Sequence, residues 1–314
     1  MKWIASFVVL VVALGSCTER DKKGKVLDSP TSGSIRIAVD ESLKPLLQAE
    51  VDGFEGIYQT AHIQATYTSE QDAIEQLLKD SVRLAVVTRK LYPEEKHTLE
   101  LLQISIAQVM FAKEGIALIV HKDNPDSTLR WDQFSSILEG KISRWNQLYP
   151  TSKLGDLQLV FDHPQSGIIR YLTDTLQIKK LPANCFAAAT NEAVFDHVAK
   201  TKNAIGLIGL SWISDKDDPA ANKFLKTIKV VGISTDDEFY KPFKYYIATK
   251  KYPLSRPVII ISREARSGLG SGFISYAASD KGQRIVLKSG LVPAKAPIRI
   301  VSIKKEPLQK IVRD

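Results

Sequence analysis

From Ser34 onward the chain alternates between short apolar, β-branched runs and stretches with helical spacing. Ser34 to Val39 (SIRIAV) reads as a strand and residues 41–54 as a helix. His62 to Tyr67 (HIQATY) reads as a second strand, and Ser69-Glu70-Gln71-Asp72 opens a helix with an acidic first turn. Arg83 to Thr88 (RLAVVT) is a third strand. Successive strand–helix–strand units predict an α/β fold with a parallel, doubly wound sheet.

Two longer apolar runs, Ile104 to Ala112 and Gly115 to His121, are broken by Lys113-Glu114-Gly115. There the chain is expected to leave one domain and enter another. A second α/β set follows in DQFSSILEG, LQLVFD, SGIIRYLTDTL, NEAVFDHVAK and NAIGLIGL. YPLSRPVIIISRE (252–264) then supplies another strand, and GLGSGFISYAASDKGQRIVLKSG supplies helices. A length of 314 residues suits two domains of ordinary size.

The N-terminus has a different pattern. Lys2 precedes the apolar segment WIASFVVLVVAL, which ends in Leu14-Gly15-Ser16-Cys17. The apolar stretch is short for a membrane span and suits a secretory signal. Small residues directly before a cysteine resemble the bacterial lipobox. The expectation is a signal peptide over 1–17, a lipid on Cys17 and a polar tether over 18–33. Cys185 is then left without a cysteine to pair with, and its apolar setting marks an inert buried thiol.

The formal charge of +8 suits an anionic ligand and equally a plain excess of exposed lysine. No dense Lys/Arg run interleaved with aromatics occurs, so nucleic acid is not indicated. Asp162, His163 and Ser166 hold the letters of a hydrolase triad, but they crowd one turn without a G-x-S-x-G elbow. GLGSGF misses both that elbow and G-x-G-x-x-G, and no P-loop is present. The five histidines form no metal-ligand spacing. Neither catalysis, a metal nor a cofactor is therefore expected.

Three strand ends carry similar equipment: Asp40-Glu41-Ser42, then Thr88-Arg89, then Asp162 with Ser166-Gly167 and Arg170. In open α/β sheets ligands sit beyond the carboxyl ends of strands, where helices begin. Ser166 and Arg170 are four apart and share a helix face. Taken singly, FDHPQSGIIRYL is an N-cap serine followed by a surface arginine; taken together, the three turns converge on one small anion.

At these residues the sequence resembles the phosphate-binding proteins of ABC transporters, in the periplasmic-binding-protein superfamily. SIRIAVDES, RLAVVTRKLYPEE, EGIALIVHKDNP with ILEGKISRWNQL, SGIIR, NAIGLIG and YPLSRPVIIISRE before GQRIVLKSGLVP carry the likeness in order. It is closest to lipid-anchored versions in Bacteroidetes-like bacteria. The resemblance implies two doubly wound α/β lobes joined by two crossovers, of the type II periplasmic-binding-protein kind. Lobe I would comprise 34–112 plus 253–304, and lobe II 113–252. It implies a monomeric, non-enzymatic protein in the periplasm or on the cell surface. Its partners would be inorganic phosphate, an ABC permease and, through lipid, a membrane. Another oxyanion, or a sensing or adhesive role, is the alternative. The family's hydroxyl-and-amide anion site carries over to Ser42, Thr88, Ser166 and Gly167. Familiar members have Gly-Ser-Gly-Thr at the helix start, an arginine shortly before it and an aspartate after the third strand. Here those places hold Gln165-Ser166-Gly167-Ile168, Asp162 and Thr88. Arg170 and Arg89 are expected to supply the cation. Asp40, Glu41 or Asp162, Asp40 first, is expected to accept the ligand's proton.

Overall fold

The long apolar runs of the sequence become the strands of one continuous mixed sheet. The structure, a computed structural model, describes residues 28–295. The signal segment, Cys17 and the tether as far as residue 27 lie outside the described residues. The strands are β1 Gly33–Asp40, β2 Ala61–Thr68, β3 Leu84–Val87, β4 Ala107–His121, β5 Thr128–Arg130 and β6 Gln158–Phe161. They continue with β7 Cys185–Ala187, β8 Ala204–Gly209, β9 Ile228–Val230, β10 Gly232–Ser234, β11 Ser255–Ser262 and β12 Val292–Pro293. The main order is β2-β1-β3-β11-β4-β8-β6-β7, with β9 and β12 added on β4 and a small β5–β10 pair apart.

Within each half the strands are parallel, as β1 with β2 and β3, and as β6 with β7 and β8. Where the halves meet they are antiparallel: β11 on β3 and β4, and β4 on β8. A wholly parallel sheet is thus replaced at the junction by strands that run straight from one lobe to the other. Strand β4 is the clearest case. Its first half pairs with β11 and its second half, from Ile116, with β8. Lys113-Glu114-Gly115 is therefore not a break but the middle of a 15-residue strand. Glu114 is tolerated there because β11 places Arg256 directly opposite it.

Near-continuous apolar runs such as LAVV follow from burial of both sheet faces. Ile37, Val39, Leu84, Val86 and Ile260 point to one core with Phe54 and Phe273. Their neighbours Ala38, Ala85, Val87 and Ile261 point to the other, with Ile74 and Leu77. The second half has its own core around Ile119, Leu159, Leu172, Phe195 and Leu207. Packed from both sides, the sheet fixes where its strands end. The carboxyl ends of β1, β3 and β6 bring Asp40, Thr88 and Asp162 to the line between the halves.

Candidate functional site

Two consecutive residues at the end of β1 reach across to the second half. One Asp40 carboxylate oxygen accepts from Ser42 N and Oγ, at 3.0 and 2.8 Å. The other accepts from Gly167 N, the first amide of the helix Gly167–Leu176, at 3.0 Å. Glu41 accepts from the backbone N–H of Asn191, the first amide of the helix Asn191–Lys200, and from its side-chain amide. A helix start exposes unpaired N–H groups and positive potential. Both helix starts are thus met by a carboxylate from the opposite lobe.

Arg170 lies one turn along the first of these helices and also crosses the cleft. Its Nε donates to Glu70 Oε2 at 2.7 Å, and its Nη2 to Thr88 Oγ1 at 2.9 Å. Glu70 Oε1 in turn accepts from Thr88 N and Oγ1 at 2.7 and 2.6 Å. On the floor, Arg256 donates to Glu114 Oε2 at 2.8 Å and to Ser42 Oγ at 2.7 Å. Ser166 caps its helix through Ile169 N, while Asp162 sits behind it, within 3.4 Å of the Asn191 amide nitrogen. Asp40, Ser42, Thr88, Asp162 and Ser166 are all buried. Outside Arg170 the cleft opens into a groove of about 630 Å³, lined in part by Arg89, Tyr92, Gln165 and Lys180.

The titration of these groups follows from burial first. Burial pushes the Asp40 carboxyl up to about 7, with Glu70 and Asp162 adding repulsion and Arg256 opposing. Burial likewise lifts Glu41 to about 8, against the Asn191 bonds, and raises Asp162. Glu70 goes the other way: burial resists its charge, but Arg170 and the Thr88 donors outweigh it. Burial holds Glu114 above the usual carboxylate range even beside Arg256.

Of the residues expected from sequence, Asp40, Ser42, Thr88, Gly167 and Arg170 share one hydrogen-bonded cluster. Glu41, Asp162 and Ser166 flank it. Arg89 lies at the margin of this cluster. Its guanidinium forms two 2.7 Å bonds with Glu95, stacks 3.7 Å from the Tyr92 ring and makes a longer ion pair, 3.9 Å, with Glu70. Its principal partner is thus Glu95, and it borders the cluster beside the cleft mouth. Among residues the sequence did not single out, Glu70, Glu114, Arg256 and Asn191 all touch the cluster. In the sequence Glu70 is one acid of a helix's first turn. Arg256 and Glu114 carried a signal, opposite charges inside two apolar runs, which implies a buried pair. His163 accepts from Gln165 N, so it is turned to its own loop and not toward Ser166. Among the described residues no acid, histidine and cysteine group is arranged to hold a metal. Cys185 is half-buried, its thiol pushed up to about 12 by burial.

A model of the PBP superfamily domain matches residues 26–281, most of the chain. This protein belongs to the PBP superfamily. Its relatives include the phosphate-binding protein PstS of Staphylococcus epidermidis, 23% identical over 87% of this chain and 82% of the relative. PstS of Staphylococcus aureus is 23% identical over 82% and 77%. A substrate-binding protein assigned to phosphate ABC transport from Clostridium perfringens, with bound phosphate, superposes with a TM-score of 0.72. It is 24% identical and covers 84% of this chain and 100% of its own. An ABC-type phosphate transport receptor from Vibrio cholerae gives 0.62 at 17% identity, over 83% and 100%. What is shared is the PBP superfamily fold.

Proposed function

We propose that this member of the PBP superfamily is a substrate-binding protein that captures inorganic phosphate between its lobes for an ABC permease. One observation carries the reading: a carboxylate, itself an oxyanion, already sits on the amide of Gly167. The Asp40 oxygen marks where a phosphate oxygen would be held, at a helix start with Arg170 and Arg256 one side chain away. The phosphate-binding relatives support the same ligand. In this reading Ser42, Thr88, Ser166 and Gly167 line the seat, with Asp162 and Glu41 at its edge. Isothermal calorimetry with phosphate, sulfate and molybdate tests it. Phosphate should bind with the highest affinity; no heat with any of the three would end the oxyanion assignment.

The Leu14-Gly15-Ser16-Cys17 run supports anchoring through a lipid on Cys17, with the folded part held in the periplasm or at the cell surface as a monomer. Palmitate labelling of cells should mark the wild-type protein and not Cys17→Ser. Label on the variant would exclude that anchor.

A further inference from the structure

The cleft contains more acid than base. Five acids, Asp40, Glu41, Glu70, Glu114 and Asp162, line it together with two guanidinium groups, of Arg170 and Arg256. Among the described residues of the neighbouring elements, Arg89, held by Glu95, Lys44, held by Glu192, and Lys180 at the groove come near, and Glu192 adds its negative charge beside Glu41. The donors an anion would use are already committed. Gly167 N and Ser42 Oγ serve Asp40, Thr88 N and Oγ1 serve Glu70, and Asn191 N serves Glu41. The buried side-chain atoms of the cleft that lack a partner are acceptors, Asp162 Oδ1 and Asn191 Oδ1. An anion therefore meets carboxylates holding its seats. A carboxylate releases such a donor when it is protonated, and it then becomes a donor itself.

We infer that closure of the cleft on its anion is coupled to uptake of protons by Asp40 and Glu41. The inference rests on the phosphate reading for its ligand and on the geometry for its acids. The pair sits at the end of one strand, and each residue meets a different helix of the other lobe. Opening the lobes returns both to water, so their protons are bound in the closed state and lost in the open one. The direction of titration agrees, with burial raising Asp40 to about 7 and Glu41 to about 8. A raised carboxyl favours the closed state most below the ordinary carboxylate range. That advantage is lost as pH rises through about 7 and about 8.

Calorimetric titration of the full protein with inorganic phosphate, in buffers of different ionisation enthalpy between about pH 5.5 and 8.5, reads the protons taken up. Phosphate's own proton is common to all variants, so the difference between variants reports the protein. Wild type should exceed the Asp40→Asn/Glu41→Gln double variant by at least roughly half a proton near neutrality. Its affinity should fall about tenfold more across the range than that of the variant. Each single variant should lose part of the difference, which keeps the test alive if the double variant does not fold. Equal uptake in wild type and variants overturns the inference and leaves phosphate binding intact. If phosphate does not bind at all, the phosphate reading fails and the empty protein decides the linkage. The radius of gyration of wild type should then shrink as pH falls, and a constant radius overturns it.

Discussion

Two arginine–glutamate pairs lie within the same cleft and serve different purposes. Arg256 and Glu114 face each other across neighbouring strands β11 and β4, both fully buried. Arg170 and Glu70 come from opposite lobes, and the Arg170 side chain keeps 21% of its exposure. The first pair belongs to the strands that join the lobes, so lobe opening leaves it intact. The second must break whenever the lobes part. A charge pair inside one sheet is a structural commitment; the same chemistry between two separately packed halves is a clasp. The difference follows from which strands carry the side chains, since both pairs have bonds of similar length.

The largest effect should come from breaking the floor pair. Arg256→Met leaves Glu114 buried without its cation and should lower stability by about 3–5 kcal/mol, read from urea denaturation. A loss below about 1 kcal/mol would make the two pairs alike and dissolve the comparison. Next comes Arg170→Ala, which should weaken phosphate binding about ten- to a hundredfold and lower stability by less than Arg256→Met, because Arg89 and Thr88 still meet Glu70. Equal binding by this variant would leave Arg170 as a clasp between the halves with no part in holding the ligand. Arg170→Lys should recover part of the affinity, because one ammonium cannot span Glu70 Oε2 and Thr88 Oγ1 as the planar fork does. Full recovery would show that charge alone matters. The smallest change is expected from Arg89→Ala, about threefold or less, since Glu95 holds that guanidinium more closely than Glu70 does. A tenfold loss would mean that Arg89 leaves Glu95 when ligand arrives.

The strand ends of the cleft were legible because they obey local rules. Asp40, Thr88 and Asp162 each follow a β-branched run, and Ser166-Gly167 opens an amphipathic helix with Arg170 on the Ser166 face. The partners of those residues were not legible. Glu70 stands 100 positions from Arg170, and Glu114 stands 142 from Arg256. Nothing within a strand-length window distinguishes Glu70 from a helix-start residue, and the charge of Glu114 inside an apolar run names no partner. The sheet order, with antiparallel β11 wedged between β3 and β4, brings Glu114 to Arg256, while Glu70 and Arg170 meet where helices of the two halves face each other. Arg89 is governed by the opposite kind of contact. Its decisive partner, Glu95, lies in the next helix start, where it also accepts from Tyr92 N. Short-range competition settled that side chain before the cleft could.

The absence of a side chain at Gly167 also sets how tightly the jaws can shut. A methyl group there would meet Asp40 Oδ2, with Thr88 Oγ1 and Glu70 Oε1 2.7 and 2.8 Å away. Those are contacts that atoms of this kind do not make, and all three belong to the opposing jaw. One added carbon would therefore act as a doorstop between two otherwise undamaged halves. The helix itself would accept alanine readily. Gly167→Ala thus offers a way to hold the trap ajar, in which the ajar form can be studied without removing a single polar group.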